Sequence, residues 1–173
     1  MKILLYTGVF FAAFAITILS LGNFSAYKAE KLPNIDKIVI RKSARELQLY
    51  EDGQPVKTYK IALGRNPVGH KQQEGDSKTP EGLYYITHHN PRSAYHLSLE
   101  ISYPNEKDKE NAKKLGVSAG GNIMIHGLPN YAPFLGSLHR LKDWTQGCIA
   151  VNNQEIEEIY AAVKDGTVIE ILP

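Results

Sequence analysis

The sequence predicts an α+β domain that is rich in strand. It has mixed or antiparallel sheets arranged like a sandwich and two or three helices. Three observations carry this prediction. Short segments of alternating or β-branched apolar residues recur from Ile38 to Leu172. Clear helical spacing is confined to two stretches near cap and stop residues. Asp-Gly pairs at Asp52-Gly53 and Asp165-Gly166 sit where the chain must reverse.

Ile38-Val39-Ile40 is a short β-branched strand. Leu47 to Tyr50 alternates and runs into Asp52-Gly53, a hairpin signal, and the returning strand is Lys57 to Leu63 with Tyr59, Ile61 and Leu63 on one face. Residues 64–82 form a long loop of Gly, Pro and polar residues, a length that in a compact domain often serves function. Leu83 to Thr87 and Tyr95 to Tyr103 are further strands. Asn105 to Leu115 reads as a solvated, charged helix stopped by Gly116. Asn122 to His126 is a strand that ends in a histidine. In the helix Asn153 to Lys164, Ile156, Ile159, Tyr160 and Val163 share a face, with Asn152 or Asn153 as cap. Asp165-Gly166 then turns into a last strand, Thr167 to Leu172.

The chain has 173 residues and opens with Met1-Lys2 and an uncharged apolar run, residues 3–21. This predicts an export signal over 1–26, either a signal peptide or an N-terminal anchor in the inner membrane. Residues 27–35 read as a linker and 36–173 as one domain, exported to the periplasm or cell envelope. With a formal net charge of +2 and no Lys/Arg block, nucleic acid is not an expected partner.

The chain holds one cysteine, Cys148. Exported proteins usually pair their cysteines. A lone one is therefore either a buried small hydrophobe or a reactive thiol. Cys148 follows Gly147, whose missing side chain lets a backbone come close, and precedes apolar residues at a loop-to-strand junction. A nucleophilic thiol needs a base. Of the six histidines, His126 stands at a strand end before Gly127, His139 is nine residues ahead of Cys148, and His70, His88, His89 and His96 lie in or near the loop and middle strands. No zinc-binding spacing occurs, so neither a metal nor a cofactor is expected.

Ile125-His126-Gly127, followed by Thr145-Gln146-Gly147-Cys148-Ile149, resembles the signature of the YkuD-type L,D-transpeptidase catalytic domain. Leu47 to Tyr50, the Gly75-Asp76-Ser77-Lys78-Thr79-Pro80-Glu81-Gly82 loop and Ile101 to Asn105 resemble it as well, so the likeness spans about residues 36–172. It implies that Cys148 attacks a peptidoglycan tetrapeptide stem, releases D-alanine and forms a thioester that passes to an amine. His126 would then be the base and Gly127 the carbonyl that orients it. Gly147 and Cys148 would offer oxyanion N–H groups, with Gln146, Thr145, Trp144, Tyr103 and Arg92 near the substrate. Trp144 and Tyr103 read equally as core aromatics, and Thr79 to Gly82 as a plain turn.

The chain departs from the family pattern at two positions. Gln146 stands where a second histidine is common, and Ala150 where an arginine is. A carboxylate-binding role would then shift to Arg92, Arg140 or Lys142. Two other readings are an L,D-carboxypeptidase or cross-link hydrolase with the same site, and a non-catalytic wall-binding module in which Cys148 is inert.

Overall fold

The computed structural model describes residues 32–173. The expected export segment lies outside the described residues. Eight strands and two α-helices follow in the order β1 (Ile35–Arg41), β2 (Glu46–Glu51), β3 (Gln54–Lys60), β4 (Gly82–Ser93), β5 (His96–Ile101), α1 (Glu106–Leu115), β6 (Met124–His126), β7 (Ile149–Ala150), α2 (Asn153–Ala162) and β8 (Val163–Leu172). A 3-10 segment, Pro133–Leu141, lies between β6 and β7 and bends at Gly136. The strands form one mixed sheet in the order β3-β2-β1-β8-β4-β5-β6-β7.

The hairpin forms where the Asp-Gly pair predicts it. Asp52 and Gly53 both have positive φ, 50° and 74°, and β2 pairs antiparallel with β3 on either side. β1 lies between β2 and β8, parallel to β8, and Ile38, Ile40, Ile169 and Ile171 from these two strands are buried in the core. Fully burying each such side chain contributes roughly 1.5–3 kcal/mol.

The sheet closes on itself. Just beyond β3, Ala62 exchanges both backbone hydrogen bonds with Ala150 of β7, at 2.9 and 2.8 Å. The two edge strands therefore meet, which satisfies donors that an open edge would leave exposed. Gly64 then bridges to Thr145 in the parallel sense.

Several boundaries differ from expectation. The strand expected over Tyr95–Tyr103 pairs only from His96 to Ile101, because β4 runs on to Ser93 and makes a tight hairpin there. The second helix stops at Ala162 rather than Lys164, because Val163 already pairs with Ile35. Between that pair and Lys37↔Val168 the register shifts, so Asp165-Gly166 sits in a bulge of β8 rather than in a turn before it. Helix α1 has the expected ends, with Asn105 and Asp108 in a capping box and Gly116 at φ 70°. Its charged face is not wholly solvated, since buried Asp108 accepts from Tyr84 Oη at 2.9 Å and pairs with His70 Nε2 at 3.0 Å.

The long loop between β3 and β4 is held by buried charge. Lys42 Nζ donates to Gly69 O at 2.7 Å, Thr79 O at 2.9 Å and Glu81 Oε1 at 2.8 Å. Its side chain is 3% exposed, and burial lowers its pKa against the pull of Glu81. Asp76 receives the N–H groups of Gln72, Gln73 and Lys78 as well as Lys71 Nζ. These bonds hold its carboxyl below the usual range although burial opposes them. The Thr79 to Gly82 stretch is not a turn but the irregular lead into β4, tied to the core with Thr79 Oγ1 accepting the Gly64 N–H at 3.2 Å.

Replacing Lys42 by Met should destabilise the domain by about 3 kcal/mol, because Glu81 and two carbonyls lose their buried partner. Urea unfolding of the two proteins measures this, and an unchanged midpoint would contradict the clamp.

Candidate active site

Strand parity brings Cys148 and His126 together. β6 and β7 run parallel with Ile125 opposite Ile149 and His126 opposite Ala150. Cys148, two residues before Ala150, projects from the same face as His126. Both line one cavity of about 490 Å3, along with Tyr95, Trp144, Thr145, Gln146 and the 120–123 segment.

The position of the thiol is built by close backbone approach. Gly147 has φ 131°, and a Cβ there would lie 2.6 Å from Lys78 O and 3.1 Å from Ile123 Cδ1. Gly64 is equally confined, since a Cβ on it would meet Ser77 O at 2.1 Å. Three chain segments therefore meet at glycines directly beneath Cys148. Thr145 fastens the loop from within. It is buried, donates its hydroxyl to Cys148 O at 2.7 Å and accepts the Gly147 N–H at 3.1 Å. Asp143 fastens it from outside, accepting the Leu63 N–H at 2.9 Å and pairing with Arg45, Nη2 to Oδ2 at 2.7 Å.

His126 is 3% exposed and its Nδ1 is 2.7 Å from Gly127 O. A carbonyl only accepts, so Nδ1 carries the proton and Nε2 carries the lone pair. Burial lowers the His126 pKa to about 4, opposed by the Gly127 carbonyl, so the ring is neutral near pH 7. Gly127 is itself clamped. A Cβ would sit 2.8 Å from Asn153 Oδ1 and 2.9 Å from Ile156 Cγ2, and its N–H is shared between Tyr95 O and Leu97 O. The start of α2 thus braces the turn behind His126, helped by Leu128 N–H donating to Asn153 Oδ1 at 2.8 Å. Tyr95 and Trp144 pack against the ring, with centroids 4.5 and 5.7 Å from it.

Cys148 Sγ lies 3.5 Å from Asn122 O. Burial pushes the thiol up from its ordinary value, against the Met124 N–H and the Lys71 charge, which favour the thiolate. The resting pair is therefore a thiol beside a neutral imidazole.

The other expected site residues divide. Trp144 is cleft wall rather than core, and Gln146 is exposed on the cavity rim. Tyr103 lies away from the cavity, where it is buried against Tyr84 and donates to Ala119 O at 3.0 Å, so its substrate role is withdrawn. Arg92 sits exposed near the end of β4, outside the cavity lining. Arg140 is engaged by Glu155 of the α2 capping box, and Lys142 faces a separate groove with His139. Of the two expected oxyanion donors, Gly147 gives its N–H to Thr145. The Cys148 N–H has no acceptor among the described residues. Ala150 is fully buried at the sheet closure, so position 150 offers the cavity no cation.

Three charged residues on the cavity wall, Arg65, Lys71 and Glu74, escape the sequence reading. All three come from the long loop, whose length was the only signal of them. Among the described residues no group of three His, Cys, Asp or Glu side chains could hold a metal ion.

The family model for the L,D-transpeptidase catalytic domain, YkuD, matches residues 35–171. The chain is 32% identical over 144 residues to YafK of Escherichia coli strain K12, named as an L,D-transpeptidase, covering 79% of this chain and 50% of that one. It is 25% identical over 164 residues to YkuD of Bacillus licheniformis, covering 88% and 79%. Among solved structures, the helical cell shape determining protein Pgp2 from Campylobacter jejuni aligns with TM-score 0.60 at 30% identity, covering 80% of this chain and 48% of that one. LdtMt1, solved in complex with imipenem, shares the fold with TM-score 0.51 at 16% identity, covering 79% of this chain and 58% of that one. The chain spans about half the length of YafK and of Pgp2. With most of its length matched by that family model, and with the sheet of its solved relatives, the chain belongs to the YkuD family of L,D-transpeptidase catalytic domains.

Proposed function

We propose that the domain is a cysteine acyltransferase of the cell envelope that acts on peptidoglycan tetrapeptide stems and passes the acyl group to an amine. One observation carries this reading. His126 is locked with Nδ1 protonated on Gly127 O, and it shares a face and a cavity with the chain's single thiol.

The chemistry follows from the protonation states. Cys148 Sγ attacks the carbonyl carbon at the L-centre of the diamino acid while its proton passes to His126 Nε2. A general-base step suits this site, because burial disfavours a standing thiolate–imidazolium pair. The carbonyl oxygen gains charge facing the Cys148 N–H, the donor left free by the Thr145–Gly147 bond. The imidazolium returns its proton to the departing D-alanine nitrogen, and a thioester remains. An acceptor amine then attacks the thioester, His126 takes the amine proton, and the thiol is restored. If water takes the place of the amine, the product is a shortened stem.

Envelope localisation and anchoring by residues 3–21 belong to the same proposal and rest on the sequence pattern alone. Among the described residues no helix is long and apolar enough to cross a membrane.

Two outcomes test the reading. Purified protein incubated with tetrapeptide muropeptides should show an acyl-enzyme mass with D-alanine lost, and cross-linked dimers by mass spectrometry. Cys148→Ala should lower the rate by about 10^6-fold, the scale on which such nucleophiles act. Full activity in that variant would sink the assignment, and tripeptides without dimers would redirect it to hydrolysis. In the pH profile of kcat/KM, the acid limb reports the pKa of the base in the free enzyme. His126 must be neutral to act, so the limb should fall near pH 4 rather than near 6.5. A limb at 6.5 would show that His126 is not buried as described, or is not the base.

A further inference from the structure

Arg65, Lys71 and Glu74 all line the Cys148 cavity, but their charges are not equally available. Lys71 is 3% exposed, and its ammonium already donates to Asp76 Oδ1 at 2.8 Å and Gln73 O at 3.0 Å. Arg65 and Glu74 are exposed on the cavity wall and have no side-chain partner among the described residues. A free cation and a free anion therefore border the cavity that holds the thiol.

Their backbones are fixed from two directions. Arg65 follows the confined Gly64, and its N–H donates to Thr145 O at 3.1 Å, which ties it to the loop that carries Cys148. Glu74 donates its N–H to Ser118 O at 2.8 Å. It also lies against Gly120 so closely that a Cβ there would be 3.2 Å from its Cα. That segment continues to Asn122, whose carbonyl is 3.5 Å from Sγ. One charge is thus set beside the thiol loop and the other beside the 118–122 segment.

We propose that Arg65 and Glu74 recognise two of the ionic groups of the stem peptide. Arg65 binds the free carboxylate of the leaving residue, and Glu74 binds the free ammonium on the side chain of the diamino acid. The assignment deepens the acyl-transfer reading above and rests on it for the substrate class. A guanidinium presents a planar fork that fits a carboxylate with two bonds, and a glutamate accepts all the donors an ammonium offers. Neither side chain has to break an existing ion pair to do so. The substrate is therefore read at one carboxylate and one ammonium, and neutralising either of these two groups should be felt at one named residue.

Calorimetric titration of the full-length Cys148→Ala protein provides the test. Three peptides are compared: the tetrapeptide, its C-terminal amide, and its form acetylated on the side-chain amine. Amidation and acetylation should each weaken binding by about 10- to 100-fold, the scale of a hydrogen bond to a charged group. Adding Arg65→Ala should weaken the tetrapeptide by that factor and leave the amide unchanged. Arg65→Lys should recover part of the loss. Adding Glu74→Gln should act only on peptides with the free amine. The pair is refuted if the parent protein does not distinguish the three peptides, if it binds none of them, or if either substitution weakens all three equally. The acyl-enzyme mass on wild-type protein answers separately for the reaction. An adduct without charge discrimination rejects the pair alone, and charge-dependent binding without an adduct rejects acyl transfer alone.

Discussion

The structure depends on the closure of the sheet between Ala62 and Ala150. Those two residues are far apart in sequence, yet they exchange backbone hydrogen bonds at 2.8 and 2.9 Å and make neighbours of the first hairpin and the last short strand. Both positions are alanine, and both are almost wholly buried. Larger side chains would hold the edges apart, since a close-packed interior has few voids to take them. Once the edges meet, Leu63, Gly64 and Arg65 run beside Asp143 and Thr145, and the thiol loop has a floor.

That floor is made of backbone. Gly64, Gly147 and the Ser77–Lys78 carbonyls come within distances that no side chain permits. Such a junction buries polar main-chain groups, each of which needs a partner. The partners here are side chains from distant parts of the chain. Thr79 takes the Gly64 N–H, Thr145 takes the Gly147 N–H, and Lys42 takes the carbonyls of Gly69 and Thr79. The long loop is irregular in secondary structure but densely bonded, which lets it carry cavity-wall residues in defined places.

The electrostatics of the cavity separate into a neutral centre and a charged rim. At the centre, burial keeps Cys148 and His126 uncharged in the resting state and leaves one orienting bond, to Gly127. Charges nearby are mostly answered by the protein, Lys71 by Asp76 and Arg140 by Glu155. Arg65 and Glu74 stay in contact with solvent, where holding a charge costs little. The sequence reading expected His126 to serve the thiol as its base. Burial around Sγ opposes ionisation of the thiol, which fits the general-base step of the proposed reaction.

How much of this was legible in the sequence follows from the range of each signal. Local rules determined the hairpin at Asp52-Gly53, the stop at Gly116, a cap at Asn152 or Asn153, the strand that delivers His126 and the glycine before Cys148, because each depends on a few adjacent residues. The pairing of His126 with Cys148 could be proposed from their motif, and the parity of β6 and β7 supplies its geometric reason. Tyr103 could not be placed from sequence, since an aromatic at a strand end fits a core or a cleft equally well. Arg65, Lys71 and Glu74 were also out of reach. Which loop charges face a cavity, and which of them already have a partner, depends on contacts such as Lys71 with Asp76 inside a 19-residue loop that has no periodicity to read. The sequence by itself determined most of the elements and singled out Cys148 and His126 as the candidate pair. The tertiary structure alone decided the sheet closure, the protonation states and the free charges at the rim, because each of these arises from burial and long-range pairing.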